Sequence, residues 1–170
     1  MNRENLNIAF VFVGLVFLQI IIFNNINFLG YINPFFYIVF IFFYPVKKLD
    51  GTFLLISFLL GLTIDFFSNS GGINAAATLL AAYIRIPVIK SVLGKNELEF
   101  ANFSFRKLKF NKTLLVITIL TFIHHFIVFG LEYFKLNNIQ LILTKTFLTS
   151  IFTIILILIS FILFTNKNAS

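Results

Sequence analysis

The sequence contains no cysteine and no tryptophan, and only three of its 170 residues are proline. Without cysteine, the chain has no disulfide, no thiolate nucleophile and no cysteine-based metal site. Charged residues are also scarce: they make up 11% of the chain, against about 25% in an ordinary soluble domain. Because a soluble surface needs charged groups that water solvates, this composition argues against a soluble globular protein and predicts an exterior that largely faces lipid.

Apolar residues dominate instead, with a hydrophobic fraction of 59% and a mean hydropathy of +1.01. Each of six apolar runs approaches the roughly 20 residues that a helix needs to cross a bilayer, and backbone groups inside lipid must bond internally. The sequence therefore predicts an all-α polytopic membrane protein, a single integral membrane domain over residues 1–170. A re-entrant pair formed by the first two runs is the alternative. The predicted spans are about 8–23, 28–46, 52–67, 73–93, 113–134 and 139–164.

The basic residues are segregated by loop. Ten of the thirteen fall on one side if the chain crosses six times, namely Arg3, Lys47, Lys48, Lys90, Lys95, Arg106, Lys107, Lys109, Lys112 and Lys167. Since basic residues of short loops stay in the cytoplasm, both termini are predicted to be cytoplasmic, and the positive net charge does not indicate nucleic-acid binding. Four of them, Arg106, Lys107, Lys109 and Lys112, form a basic patch expected to contact anionic lipid.

The densest polar group joins the third run to the fourth, and Asp65 lies about one turn before the third run ends. It is interpreted either as a corner that docks a partner or small ligand, or as a set of caps for two helix ends. Glycines in the turn can take positive φ, and alanines at 75–77, 81 and 82 offer a surface for close helix packing. The candidate residues of this partner-binding or structural corner are Gly61, Asp65, Ser68, Gly71, Gly72, Asn74, Arg85 and Pro87.

Arg85 and Pro87 lie deeper in the fourth run. Arg85 is about 18 Å below the start of that run by helical rise, so a direct pair with Asp65 is not expected. Its guanidinium is predicted either to bind an anionic or acidic group, or to extend its stem towards the headgroups. Pro87 removes a backbone donor, which predicts a kink in the helix.

The remaining polar residues of the spans give no catalytic pattern. His124 and His125 are adjacent and point about 100° apart on a helix, so helix–helix hydrogen bonding is favoured over metal binding. Glu132 and Lys135 are spaced for a surface ion pair. There is no phosphate loop, nucleophile elbow, paired-carboxylate or metalloprotease motif, so no enzyme activity, catalytic residue, cofactor or metal is predicted.

Residues 61–87 resemble the bacterial rod shape-determining protein family MreD. The resemblance rests on the Gly61-x-x-x-Asp65 spacing, the following Ser68, the run from Gly71 to Ala77 and the Ala-Tyr-Ile-Arg sequence that ends at Arg85. The chain departs from the family pattern at Ile86, which separates Arg85 from Pro87, and at Asn74, where many relatives have histidine.

This resemblance implies a non-enzymatic component of the bacterial inner membrane that regulates cell shape by scaffolding peptidoglycan synthesis in the elongation machinery. MreD-like proteins associate with the single-span protein MreC and work with MreB, RodA and a penicillin-binding transpeptidase. Their fold is similar to the six-helix substrate-binding subunits of energy-coupling-factor transporters. The alternative function is therefore a substrate-binding membrane subunit for a small molecule such as a vitamin, with an outer pocket using Asp65, Asn69, Asn74 and Glu132.

Overall fold

The computed structural model describes residues 3–27, 32–46, 51–94, 103, 105, 108–134 and 138–165. Their regular secondary structure is helical, and five of the helices are long and apolar enough to cross a membrane. These five are α1 (Arg3–Ile21), α3 (Gly51–Ser68), α4 (Ile73–Leu93), α5 (Phe110–Glu132) and α6 (Ile139–Thr165); α2 (Val39–Phe43) is short. The prediction of an all-α chain with membrane-spanning helices is confirmed at this level.

The run predicted over 28–46 is not a continuous helix, which corrects the prediction of six unbroken spanning helices. Its described part contains a 3₁₀ turn at Phe36–Ile38 followed by the five residues of α2. α2 ends where Tyr44 adopts an extended conformation, with φ −66° and ψ 136°. Pro45 explains this end, because a proline disfavours the α conformation of the preceding residue and has no N–H to continue the helix.

This broken segment, residues 32–46, lies inside the bundle. Its side chains from Tyr37 to Phe42 are at most 3% exposed. Irregular backbone is tolerated at membrane depth only where protein or a water-filled cavity surrounds it, and here neighbouring helices enclose it. The segment therefore forms the centre of the core, although its helical pieces have only three and five residues.

The broken segment runs antiparallel to α1. The side chain of Gln19, near the end of α1, bonds to the carbonyl of Pro34 at 3.0 Å and accepts the N–H of Tyr37 at 3.2 Å. At its other end, Tyr44 and Pro45 line a crevice together with Asn7 from the start of α1. The two ends of the segment thus contact opposite ends of α1.

The helices α3, α4, α5 and α6 pack against one another in chain order. Asn24, just after α1, donates to Ser68 Oγ at the end of α3 over 3.0 Å, so α1 and α3 end together. We call this end of the bundle, where α3 ends and α4 begins, the Asp65 end. The outer faces are apolar: Phe66 is 81% exposed and Phe10 75% exposed, as expected for side chains that face lipid.

Candidate functional site

Helices α3 and α4 approach each other closely at Gly61. A Cβ atom added there would lie 2.5 Å from the Asn74 carbonyl oxygen and 2.6 Å from Ala75 Cα. Only glycine fits at such a distance, as at the small-residue contacts typical of membrane helices. Of the alanines predicted to form a packing surface on α4, Ala75, Ala77, Ala81 and Ala82 are buried, whereas Ala76 is exposed.

Asp65 lies one helical turn after Gly61 and caps the N-terminus of α4. Its Oδ1 accepts the backbone N–H of Asn74 at 3.0 Å, and its Oδ2 accepts that of Ala75 at 2.8 Å. The first N–H groups of a helix have no partner within it, and Gly72 at the cap position has no side chain to serve. The carboxylate of one helix therefore performs the capping of the next, with a charge that the helix dipole favours.

Two more donors complete the shell of the Asp65 carboxylate. Ser70 Oγ donates to Oδ1 at 2.5 Å, and the side-chain amide of Asn74 donates to the same oxygen at 3.0 Å. The predicted Ser68 is not one of these donors; its hydroxyl accepts the Asn24 amide. Asp65 is 4% exposed, so its oxygens face these donors rather than solvent.

The turn between α3 and α4 has the backbone that its glycines predicted. Gly71 and Gly72 have φ values of +65° and +94°, and Asn69 has a φ of +53°. These left-handed conformations reverse the chain within a few residues and bring Asn74 back over Asp65. The interpretation of the corner as a set of helix caps thus agrees with the contacts of Asp65 and with the backbone conformations of both glycines.

A chain of hydrogen bonds leads from Asp65 into the centre of the bundle. Asn74 directs its amide nitrogen at Asp65, so its Oδ1 faces the Tyr37 hydroxyl, which donates to it at 2.8 Å. With that proton used, the Tyr37 oxygen accepts from His124 Nε2 at 3.0 Å. His124 therefore carries its proton on Nε2, and its buried Nδ1 has no hydrogen-bond partner among the described residues.

His125 faces a different helix. Its Nδ1 donates to the carbonyl of Thr121 at 2.7 Å, and its Nε2 accepts from the hydroxyl of Thr153 on α6 at 3.1 Å. Both histidines make helix–helix hydrogen bonds, the interpretation favoured by their spacing. Among the residues that the structure describes, no three His, Cys, Asp or Glu side chains come together as a metal site.

Arg85 is 1% exposed and binds backbone carbonyls of the broken segment. Its Nη1 donates to Ile41 at 2.6 Å and to Tyr44 at 3.1 Å, and its Nη2 donates to Pro45 at 3.0 Å. The carbonyl of Ile41 would bond to the N–H four residues later, but that residue is Pro45, which has none. Arg85 supplies the missing donor, and its guanidinium lies 4.1 Å from the centre of the Phe53 ring.

The described contacts of Arg85 are thus backbone carbonyls and the Phe53 ring, and so buried a side chain does not extend to the headgroups. An anionic or acidic partner stays a prediction. As predicted, Arg85 does not pair with Asp65. Pro87 lies on the exposed side of α4, and the helix continues through it to Leu93. Pro87 is thus remote from the corner with which it was grouped.

The other predicted site residues are dispersed. Arg106, Lys107 and Lys135 lie outside the described residues, so the basic patch is represented by Lys109 and Lys112 at the start of α5. Lys109 is exposed and Lys112 half-buried. Asn69 is exposed at the turn.

A cavity of about 480 Å³ opens at the Asp65 end, between the ends of the long helices. Of the four residues expected to form an outer pocket, Asn74 and Glu132 line this cavity. Asp65 and Asn69 do not, because Asp65 is enclosed by its own donors. The half-buried Lys145 also lines the cavity and donates to the hydroxyl of Tyr133.

Sequence reasoning missed three residues that hold these sites together: Gln19, Tyr37 and Ser70. Gln19 is fully buried within an apolar helix, and such an isolated polar residue is itself a signal of a specific partner. Tyr37 lies 87 residues from its partner His124, and nothing in a single sequence indicates that pairing. No family model matches this chain, and comparison with curated proteins and with solved structures gave no significant match.

Proposed function

We propose that this protein is a non-enzymatic scaffold of the bacterial cytoplasmic membrane, an MreD-like component of the elongation machinery that regulates cell shape together with MreC. One observation carries the proposal: the densest polar cluster of the chain is used to fix helix geometry. The carboxylate of Asp65 is enclosed by donors from Ser70, Asn74 and Ala75 and presents no free oxygen for chemistry. The same stretch, from Gly61 to Ala77, carries the resemblance to MreD.

In this proposal the broken segment 32–46 is a sixth crossing of the membrane. Its ends lie near Gln19 and near Asn7 of α1, twelve residues or about 18 Å apart along that helix, which supports a crossing. An even number of crossings and the distribution of basic loops then put both termini in the cytoplasm and the Asp65 end outside. This arrangement fits the six-helix fold of energy-coupling-factor subunits.

The basic patch is proposed to bind anionic lipid on the cytoplasmic side. Lys109 and Lys112 lie at the N-terminus of α5, where the positive end of the helix dipole disfavours cations. Anionic headgroups would offset that repulsion and fix the depth of α5. MreB, RodA and a penicillin-binding transpeptidase are the further partners that the scaffold would bring together.

The scaffold function is tested by recovery of a complex. The chain, purified from its native membrane with a C-terminal tag, should retain an MreC-like protein with one span. Its depletion in a rod-shaped host that has no second copy should give rounded cells. Normal rods after depletion, together with no MreC-like protein in the purified material, would contradict the proposal.

The proposed topology is tested with single cysteines, because the native chain has none. Ser68→Cys lies at the Asp65 end, and Ser91→Cys near the end of α4 is its matched control; both side chains are exposed. A membrane-impermeant thiol reagent added to intact spheroplasts should label Ser68→Cys and leave Ser91→Cys unlabelled. The reverse labelling would invert the proposed orientation.

The alternative function, a substrate-binding subunit for a small molecule, has its own supporting observation. The cavity at the Asp65 end, about 480 Å³, has the size of an ordinary small-molecule site. This function predicts co-purification with an ATPase module in place of an MreC-like protein. The same tagged purification therefore distinguishes the two functions.

A further inference from the structure

The cavity at the Asp65 end is built from every part of the bundle. Asn24 from the end of α1, Phe35 from the broken segment and Ser68 from α3 form one side. Asn74 from α4, Phe129 from α5 and Lys145 from α6 form the rest. Because all these elements meet around it, the cavity is a cup between helix ends rather than a groove on the lipid-facing surface.

Two opposite charges line this cup. Lys145 is half-buried, and its ammonium lies 4.7 Å from the centre of the Tyr133 ring, whose hydroxyl accepts one of its three protons. Glu132, the exposed last residue of α5, lines the same cup. Among the residues that the structure describes, neither charge makes an ion pair, so both keep hydrogen-bonding capacity for a ligand.

Two of the three asparagine amides that line the cup are fully engaged, whereas the described contacts of Asn33 use only its oxygen, on the N–H of Asn27. Asn74 bonds to Asp65, Ser70 and Tyr37, and Asn24 bonds to Gln19 and Ser68. Aromatic rings of Phe35, Phe67 and Phe129 supply much of the remaining wall. A polyhydroxylated ligand would find few free partners there, whereas an apolar body would fit against the rings.

We propose that this cup binds a small zwitterion with an apolar body, its anionic group on Lys145 and its ammonium group on Glu132. A purely anionic ligand would meet the carboxylate of Glu132, and a purely cationic ligand would meet the ammonium of Lys145, so only a ligand with both charges satisfies both. The source is either an apolar amino acid or the headgroup of an ethanolamine phospholipid. The inference goes beyond the scaffold function; it would name the ligand class of the alternative function but does not depend on it.

The test uses protection of Ser68→Cys, which lines the cup, in nanodiscs of phosphatidylglycerol. L-leucine, L-phenylalanine and L-tryptophan are the probes, each compared with its decarboxylated amine and its deaminated acid. At ten times its dissociation constant, a ligand that excludes the thiol reagent slows labelling about tenfold. We expect such protection from at least one amino acid and less than a twofold effect from the corresponding amine and acid.

Variants assign the charges. Lys145→Gln and Glu132→Gln, each in the Ser68→Cys background, should abolish protection, whereas Lys90→Gln on the exposed side of α4 should retain it. Size-exclusion profiles confirm that each variant is folded. The inference is overturned if protection survives in both Lys145→Gln and Glu132→Gln. It is also overturned if the amine or the acid protects as well as the amino acid.

The two sources are separated by the lipid. Slow labelling in phosphatidylethanolamine nanodiscs without any amino acid, and fast labelling in phosphatidylglycerol, identifies the headgroup as the ligand. If neither the amino acids nor phosphatidylethanolamine slows the labelling, the ligand class is wrong. That result holds even if an ATPase module co-purifies and the carrier function stands. Protection without an ATPase module keeps the ligand class and removes the carrier function.

Discussion

Asp65 and Arg85 are both charged, both buried and both bound to helix ends, but they find their partners in different ways. Asp65 bonds to groups five, nine and ten residues further along the chain. Arg85 bonds to carbonyls that lie 40 to 44 residues away. The anion caps the start of α4 and the cation caps the end of α2, so each charge opposes the partial charge of its helix terminus.

Asp65 thus forms a corner that is local in sequence, whereas Arg85 is a long-range clamp on the broken segment. Asp65 fixes the angle between two helices that are adjacent in sequence. Arg85 holds a broken segment whose own helix is too short to be stable without tertiary contacts. Loss of the clamp should therefore disturb the centre of the bundle, and loss of the corner should disturb one end of it.

Arg85→Met should have the largest effect of the substitutions considered. It removes the donor of two buried carbonyls, those of Ile41 and Tyr44, and of the partly buried carbonyl of Pro45. Each unsatisfied buried group costs about 1–3 kcal/mol. The expected loss in the free energy of unfolding is about 3 kcal/mol or more, measured by SDS-induced unfolding in mixed micelles. Arg85→Lys should recover only part of the loss, because an ammonium lacks the planar fork.

Pro45→Ala tests whether Arg85 replaces the N–H donor that Pro45 lacks. Alanine restores the N–H that the carbonyl of Ile41 lacks, so Arg85→Met should cost less in the Pro45→Ala background than in the native chain. The double-mutant cycle should give a coupling free energy of about 1 kcal/mol. Strict additivity of the two substitutions would show that Arg85 does not replace the proline donor.

Asp65→Ala should have the next largest effect, because it leaves the N–H groups of Asn74 and Ala75 buried without an acceptor. Loss of a cap costs about 0.5–2 kcal/mol, and the two side-chain donors add to this. Asp65→Asn should be milder, since one oxygen remains, but its amide nitrogen would face a donor. The free energy of unfolding and the recovery of the proposed complex should decrease from the native chain to Asp65→Asn to Asp65→Ala. Native values for both variants would show that Asp65 does not stabilise the corner.

Gly61→Ala should destabilise the corner by about 1–3 kcal/mol, because the new methyl group would press on the backbone of α4. Gly14→Ala is the matched control: it also lies within a helix, but nothing lies within 4 Å of the added methyl group. That control should be neutral or stabilising by up to about 1 kcal/mol. Equal effects of the two substitutions in the same unfolding assay would contradict the close approach of α3 and α4.

Tyr37→Phe should give the smallest effect, about 1 kcal/mol, because it removes one hydroxyl that joins Asn74 to His124. The substitution connects the two regions, since Tyr37 belongs to the segment that Arg85 clamps and bonds to a residue of the corner. In the double mutant with Asp65→Ala, the two losses should not add, because both act on Asn74. Full additivity would separate Tyr37 from the corner.

The same contrast between near and distant partners explains how much of each region could be predicted from the sequence. Hydropathy predicted α3 and α4 to within a residue, and the glycine pair predicted the turn, because these signals lie within a few neighbouring residues. The broken segment was missed although it has a local signal. Pro45 frees the carbonyl of Ile41 inside an apolar run, and such a carbonyl requires a donor from elsewhere.

The identity of that donor was not predictable from the sequence. Arg85 binds backbone oxygens, and every residue has one, so no side-chain pattern marks the partners of the guanidinium. The links from Gln19 to Pro34 and from Tyr37 to His124 likewise depend on how distant segments meet. A lone glutamine, tyrosine or histidine in an apolar run indicates that a partner exists without saying which it is.

The claim that Asp65 acts as the cap of α4 is tested most directly by amide hydrogen exchange. Exchange is compared for peptides covering the start of α4, which contain the N–H groups of Asn74 and Ala75, in native protein and in Asp65→Ala. Exchange at these two amides should be faster in the variant, with the amides near Arg85 unchanged. Unchanged protection of Asn74 and Ala75 in a folded Asp65→Ala protein would contradict it.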